Sequence, residues 1–376
     1  MKRLILLWAC LLLPVQAFSM SCTVGSTELG VSGYLEGLGV YALDDDTPEE
    51  DPSALFSLSA KSDFARWGAF KITLKGGYDG KVSDPDSGKY VTSLDKIYQN
   101  RNPFVTFDEA YIDLFTGKAD FRVGIQKFAW GRLDEINPTD NLNTEDMTDP
   151  VLKEESERKI GVPAVKANIY TDIVNCEIAW IPRYVPYHLS RPGERWFPPI
   201  FVVPSAIETN TSFGALPVEA EYAELDLPAL SLKNSEAGVR LSRSVGGWEL
   251  SASYFTGYDM MPVMTVPTEL TIELTDPAAL QTEINARVKA QPELNRLHVF
   301  GADFSTTLGG FTIRGEGAYF KGKYYVRTID SIYAEVMTTT LQQRIMADGG
   351  FQTGGQNIHY LEKRIAEQRE KGIGRG

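Results

Sequence analysis

Two neighbouring segments, Phe107 to Phe115 and Ala119 to Trp130, alternate so strictly that few folds can accept them. In the first, Ala110, Ile112 and Leu114 take one parity while Glu109, Tyr111 and Asp113 take the other. In the second, Phe121, Val123 and Ile125 oppose Arg122, Gly124 and Gln126. Alternation with period two places such sets on opposite faces of a sheet, and the turn Thr116-Gly117-Lys118 makes the pair a hairpin. One hairpin alone fits two architectures: a soluble sandwich with its charges in water, or a membrane barrel with its charges inside.

The amino terminus supplies context. Lys2 and Arg3 precede an apolar run from Leu4 to Leu13, and Val15-Gln16-Ala17 offers the small residues of a signal-peptidase site. Residues 1–17 read as a signal peptide, so the mature chain is expected to start at Phe18 and to leave the cytoplasm. With Lys2 and Arg3 removed, the 37 basic residues fall to 35 against 50 acidic ones, a net charge of −15. That balance disfavours a basic groove for nucleic acid. Beyond the signal no apolar run approaches the roughly 20 residues of a membrane helix, so any spanning must be done by sheet. The 17 Tyr, 18 Phe and 33 Gly suit strands, turns and interfacial aromatic belts. Cys22 and Cys176 could form one disulfide, but Cys176 shares its parity with Val174, Ile178 and Trp180, which favours an apolar-facing thiol.

Ten strands are legible: Leu29 to Tyr41, Ala65 to Gly77, the hairpin above, Pro163 to Tyr170, Ile173 to Ile181, Glu236 to Arg243, Trp248 to Gly257, His298 to Thr307 and Phe311 to Lys321. Their hairpins have short turns at one end and long connections at the other, as outer-membrane barrels do. The count carries a parity conflict, because the 78–103 connection is long where a short turn is due; a missing strand near Ser53 to Ser59 would remove it. The segments 132–162, 182–235 and 258–297 are too long for a compact sandwich. Asp276-Pro277 reads as the start of a helix through Val288, and the aromatic, proline-rich strip Arg191 to Pro204 either folds into a lumen or packs at a rim. Residues 332–346 and 358–370 read as helical, and the absence of a terminal aromatic strand leaves an incomplete carboxyl end as an expectation.

The segments Asp108-Glu109-Ala110-Tyr111-Ile112-Asp113-Leu114, Arg122 to Lys127 leading into Trp130-Gly131, Asn137-Pro138-Thr139-Asp140, Trp180-Ile181-Pro182 and Arg314 to Ala318 form a recognisable layout. In them the chain resembles a family of uncharacterised proteobacterial outer-membrane β-barrels, distantly similar to alginate-export porins. The resemblance implies an all-β, antiparallel transmembrane barrel over residues 18–323, with long extracellular loops, followed by a helical or loop-like segment 324–376. It also implies the outer membrane as location, with lipid, lipopolysaccharide and the barrel-assembly machinery as partners.

The expected activity is passive, porin-like passage of small polar or anionic solutes, with no catalytic residue and no cofactor. Glu109, Asp113, Arg122, Gln126, Arg132, Lys166, Glu177, Arg240, Asp303, Arg314 and Glu316 are the pore-lining candidates. Each charged residue has the alternative role of a barrel-wall ion pair. Arg122 and Arg314 stand out because a guanidinium fork holds a carboxylate while staying charged. The turn Trp130 to Pro138 is expected either to fold inward, with Arg132 opposing Asp134 or Glu135, or to form an ordered rim. Asp140, Glu145, Asp146 and Asp149 lack the spacing of an EF-hand, and a solvated acidic loop explains them more simply than calcium. The rival readings are a closed binding or structural barrel and an outer-membrane hydrolase; His188, His298 and His359 lie in no nucleophile context.

Overall fold

The computed structural model describes residues 11–12, 16–24, 27–42, 49–79, 103–134, 136–148, 150, 153, 155–192, 196–203, 205–208, 215–265, 268–276 and 281–324. They divide into two compact units. The first comprises Met1–Trp196, Leu227–Met260 and His298–Phe320; the second comprises Phe197–Asp226, Met261–Leu297 and Lys321–Gly376. The expected helices after residue 330 fall outside the described residues.

A thirteen-stranded sheet dominates the first unit. Its first strands are β1 (Leu11–Leu12), β2 (Gln16–Val24), β3 (Thr27–Ala42), β4 (Glu49–Ala65), β5 (Gly68–Asp79), β6 (Phe104–Phe115) and β7 (Ala119–Gln126). After the two-residue strand β8 (Asp146–Met147) come β9 (Val162–Tyr170) and β10 (Asn175–Ile181). The short β11 (His188–Leu189) pairs with β8 in parallel. The second unit holds β12 (Ala206–Glu208) and β13 (Ala215–Tyr222), and the large sheet resumes with β14 (Glu236–Val245) and β15 (Trp248–Tyr258). β16 (Val263–Thr265), β17 (Thr268–Asp276) and β18 (Gln281–Glu293) return to the second unit, and β19 (Arg296–Leu308) and β20 (Phe311–Lys321) end the large sheet.

The strand order in the large sheet is β3-β4-β5-β6-β7-β9-β10-β14-β15-β19-β20, with β1 and β2 both on the free side of β3. β4 is the missing strand, and it resolves the parity conflict. With it, the short turns at Arg66-Trp67, 116–118, 171–174, Gly246-Gly247 and Gly309-Gly310 all lie at one end of the sheet. Residues 11–12 and 16–17, inside the expected signal peptide, pair with β3 in this sheet.

The hairpin β6-β7 pairs as the alternation requires: Asp113 faces Arg122 and Ile112 faces Val123. Gly124, opposite Tyr111, has φ +136, and a Cβ there would lie 2.2 Å from the Ala110 carbonyl oxygen. The missing side chain leaves room for Tyr111, whose ring carries the Arg122 guanidinium 3.8 Å from its centroid.

Exposure is inverted relative to a soluble sheet. On the apolar parity Ile112 is 49% exposed, Val123 47%, Leu241 44% and Leu250 45%. On the polar parity the Asp303 side chain is 1% exposed. What covers the polar face is the connection between β7 and β9, residues 127–161.

Among the described residues the path stays open, with no ladder joining β20 to β1 or β2. The expected closed barrel is thus found as an open antiparallel sheet, and its curvature follows from contacts. Laid flat, the ten steps from β3 to β20 would span roughly 48 Å at about 4.8 Å each. Yet Lys159 lines one cavity with Tyr34 of β3 and sits 2.7 Å from Asp140, whose neighbour Thr139 bonds Glu316 of β20. The sheet must curl around the segment to satisfy both, an arrangement consistent with a barrel-type architecture.

The second unit corrects one expectation. Residues 281–288, expected to be helical, are strand: β18 pairs antiparallel with β17, and β13 joins β18 in parallel. Thr282, Ile284, Ala286, Val288 and Ala290 alternate with Glu283, Asn285, Arg287 and Lys289, a period-two pattern that outweighs the Asp-Pro cap signal. The aromatic strip packs within this unit from Phe197 onward, with the Phe197 ring edge-on to Tyr222 at 5.2 Å and Phe201 buried. Both mature cysteines are free thiols.

Gly124→Ala is expected to push β6 and β7 apart and to destabilise the chain by about 1–3 kcal/mol, the usual range for strain of this kind. The midpoint of urea unfolding, followed by tryptophan fluorescence, checks it.

Candidate functional site

The candidate site is the polar face of the large sheet together with the infolded segment 127–161. Trp130-Gly131-Arg132 turns the chain over Glu316. Gly131 has φ +88, and a Cβ on it would lie 2.4 Å from Glu316 Oε2, so glycine meets both a backbone and a space requirement. The Glu316 carboxylate then accepts from the Arg132 amide (2.7 Å), the Leu133 amide (3.3 Å), the Thr139 amide (2.9 Å) and the Thr139 hydroxyl (2.7 Å). Charge-assisted bonds of this type are among the stronger hydrogen bonds in proteins.

Arg132 reaches onto the sheet from this turn. Its Nε donates to Asp303 at 3.1 Å and its Nη1 pairs with Glu249. Arg240 approaches Asp303 at 3.1 Å and also donates to Ser251 Oγ at 2.9 Å. The enclosed Asp303 carboxylate therefore lies between two guanidiniums. The expected pairing of Arg132 with Asp134 is corrected here, Glu135 lying outside the described residues: the side chain points at the wall, where it joins Arg240 in balancing a buried carboxylate.

The remaining segment is tied down by three polar side chains. Trp130 donates through its indole to Glu177 at 2.6 Å and through its amide to Asp140 at 3.1 Å. Asp140 pairs with Lys159 at 2.7 Å, and Lys159 also reaches Glu155 at 3.1 Å. Asn143 accepts from the Phe128 amide (2.7 Å) and donates to the carbonyls of Gln126 (3.2 Å) and Ile160 (2.7 Å). One side chain thereby holds both ends of the segment.

The other candidates occupy the same face in different roles. Arg122 grips Asp113 with two bonds, 2.7 and 3.0 Å, and so braces the wall. Glu109 pairs with Lys71. Lys127 binds Asp108 at 2.6 Å. Lys166 lies over the Phe128 ring at 5.9 Å. Gln126 is fully buried and donates to the Ala164 carbonyl at 2.9 Å, so it faces packing, not open water. Arg314 is apart from the cluster: it is exposed and approaches Asp134 at 3.5 Å. Asp140, Glu145 and Asp146 each pair with Lys159, Arg158 or Lys153, and no metal-binding group of carboxylates occurs among the described residues. Asn143 and Lys159 were not singled out by sequence reasoning, and Thr139 entered only within the run Asn137-Pro138-Thr139-Asp140, which was the available signal.

Residues 50–363 match the model of a family described as proteins of unknown function, DUF1302. The chain belongs to this family. No curated protein matches it. For a DUF1302 protein, then, chemistry has to be read from the geometry itself.

In this DUF1302 chain the Asp140 carboxyl of the infolded segment has an altered acidity. Burial pushes its carboxyl up to about 6 against the opposing pull of Lys159 and the Trp130 amide. Its Oδ1 has no hydrogen-bond partner, which suits a proton there. Because the folded pKa lies above the unfolded value near 3.8, the folded state holds this proton more tightly. The contribution of Asp140 to stability is thus greatest below about pH 4 and declines as pH rises toward about 6. Infrared difference titration of the carboxyl stretch should place the midpoint near 6. Lys159→Met, which removes a cation that favours the carboxylate, should move that midpoint upward.

Asn143→Ala leaves the Phe128 amide and two carbonyls without this partner and is expected to destabilise the first unit by about 1–3 kcal/mol. The shift in the thermal unfolding midpoint measures it.

Proposed function

We propose that the chain forms the wall of an outer-membrane β-barrel whose interior is narrowed by segment 127–161, serving as a restricted, porin-like passage for small polar solutes. The observation that carries this reading is the inverted sheet, with its apolar face exposed and its charged face covered. Water penalises such an exposed face and hydrocarbon does not, and patches of this size mark membrane or protein contact. No helix among the described residues is long and apolar enough to cross a membrane, but β15, β19 and β20, with 11, 13 and 11 residues, have the length of tilted spanning strands.

Aromatic pairs mark two levels on the outer face. Trp248 packs on Phe304 at 5.7 Å near the short turns. Toward the long connections Tyr254 packs on Phe300 at 5.0 Å and bonds His298 Nδ1 at 2.8 Å. Trp248 and Tyr254 lie roughly 20 Å apart along their strand at about 3.4 Å per residue, which suits interfacial belts bounding an apolar band. The family match is compatible with this location.

The closed-barrel reading is favoured by one feature, the pairing of inward charges around the segment. A channel can leave such charges in water, whereas a filled interior has to pair them. Purified protein in lipid with brominated chains is expected to show quenching of the outward Trp248 and Trp180; recovery in the soluble periplasmic fraction would contradict the membrane location. In planar bilayers the native chain should give small discrete steps. Glu316→Ala, which frees the turn at Arg132 and Thr139, should enlarge them several-fold. Silence from both proteins, each shown to be folded, would establish the closed barrel instead.

A further inference from the structure

Charges on the inner face of β6, β7 and β9 pair off along the ladder, and one ammonium is left over. Lys166 of β9 stands directly across from Arg122 of β7, so two cations share one level of the inward face. Like charges placed so oppose the pairing of their strands unless something negative reaches both. The carboxylates whose fields act on Lys166 are those of Glu177, Asp113 and Glu109. Each is committed to another donor: Asp113 to Arg122 Nε and Nη2 at 2.7 and 3.0 Å, Glu109 to Lys71, and Glu177 to the Trp130 indole at 2.6 Å. Among the described residues Lys166 forms no ion pair; its Nζ lies over the Phe128 ring at 5.9 Å, the outer limit of a cation–π contact. Arg122 Nη1 likewise donates to no acceptor among the described residues. The fork expected to hold a solute is thus filled by Asp113, and the half-buried Lys166 is the cation left without a carboxylate.

We propose that Lys166 Nζ and Arg122 Nη1 form a subsite for the carboxylate of a small monocarboxylate anion. A carboxylate carries two acceptor oxygens, one for the ammonium and one for the guanidinium N–H, and both bonds are charge-assisted. Its charge also relieves the repulsion between the two cations. A neutral solute would take water from the ammonium without replacing its hydration, and a cation would meet two like charges. Glu177 has no ion-pair partner among the described residues, so its charge opposes a second negative charge and disfavours a dianion. With three protein carboxylates nearby the hold is weak, as suits a site that a passing solute must leave as well as enter. The subsite names the solute class of the porin-like passage and rests on that reading for this role, whereas the binding itself needs only the inward face.

The test is reductive methylation of the full-length, detergent-extracted protein, read lysine by lysine by mass spectrometry, with sodium propanoate, sodium chloride at equal ionic strength, or propanamide present. Propanoate should slow labelling of Lys166 several-fold and leave the exposed Lys118 unchanged, while chloride and the isosteric neutral amide should protect neither. Isothermal titration with propanoate adds two variants. Lys166→Gln should abolish binding, and Glu177→Gln, whose amide oxygen still accepts from Trp130, should tighten it several-fold. The labelling of native protein decides the matter if either variant fails to fold. No protection of Lys166 by propanoate, equal protection by chloride or propanamide, or unchanged affinity in a folded variant would overturn the subsite. Conductance separates the two readings: a chain that conducts without binding propanoate loses this subsite alone, and one that binds propanoate without conducting loses the porin-like reading alone.

Discussion

Asp303 is held between Arg132 and Arg240 with its side chain almost wholly enclosed, and this buried charge sets the terms for what surrounds it. A carboxylate withdrawn from water is tolerable only when cations and hydrogen bonds replace the lost hydration, and a single partner seldom suffices. Arg240 comes from the adjoining wall. Arg132 has to come from elsewhere, and the turn at Gly131 delivers it. The same turn presents its amides to Glu316, so a buried carboxylate and a half-buried one are satisfied by one short stretch of loop. The curvature of the sheet and the infolding of the segment between β7 and β9 are two aspects of that arrangement.

The Asn143 bonds and the Asp140 to Lys159 pair lock the segment in place, while Lys75 of β5 sits 3.4 Å from Asp108.

The hairpins were legible from alternation alone, because side-chain parity in a strand is a local property. β6 and β7 fall where Ile112 and Val123 alternate with Asp113 and Arg122. β17 and β18 obey the same rule, but Asp276-Pro277 offered a competing helix signal and tertiary pairing prevailed over it. β4 was recognised only as a gap, since Pro52 and a run of small residues weaken its pattern. Within the candidate site, the residue types were visible and their partners were not. Arg132 has nearby acids at Asp134 and Glu135, and sequence distance favoured them; the buried Asp303, 171 residues away, prevails through desolvation.

What the sequence by itself determined is the two-faced sheet: which residues share a face, which turns are tight, and that charge and hydrocarbon lie on opposite sides. Those facts follow from the two-residue period of a strand and need no knowledge of what packs on it. Only the tertiary structure decided that the charged face is covered by residues 127–161, that Glu316 caps their turn, and that a small mixed-charge cavity remains beside β3. The reason is physical: burial, and with it the choice of ion-pair partner, depends on every element that excludes water from a site, and those elements come together only when the sheet curls.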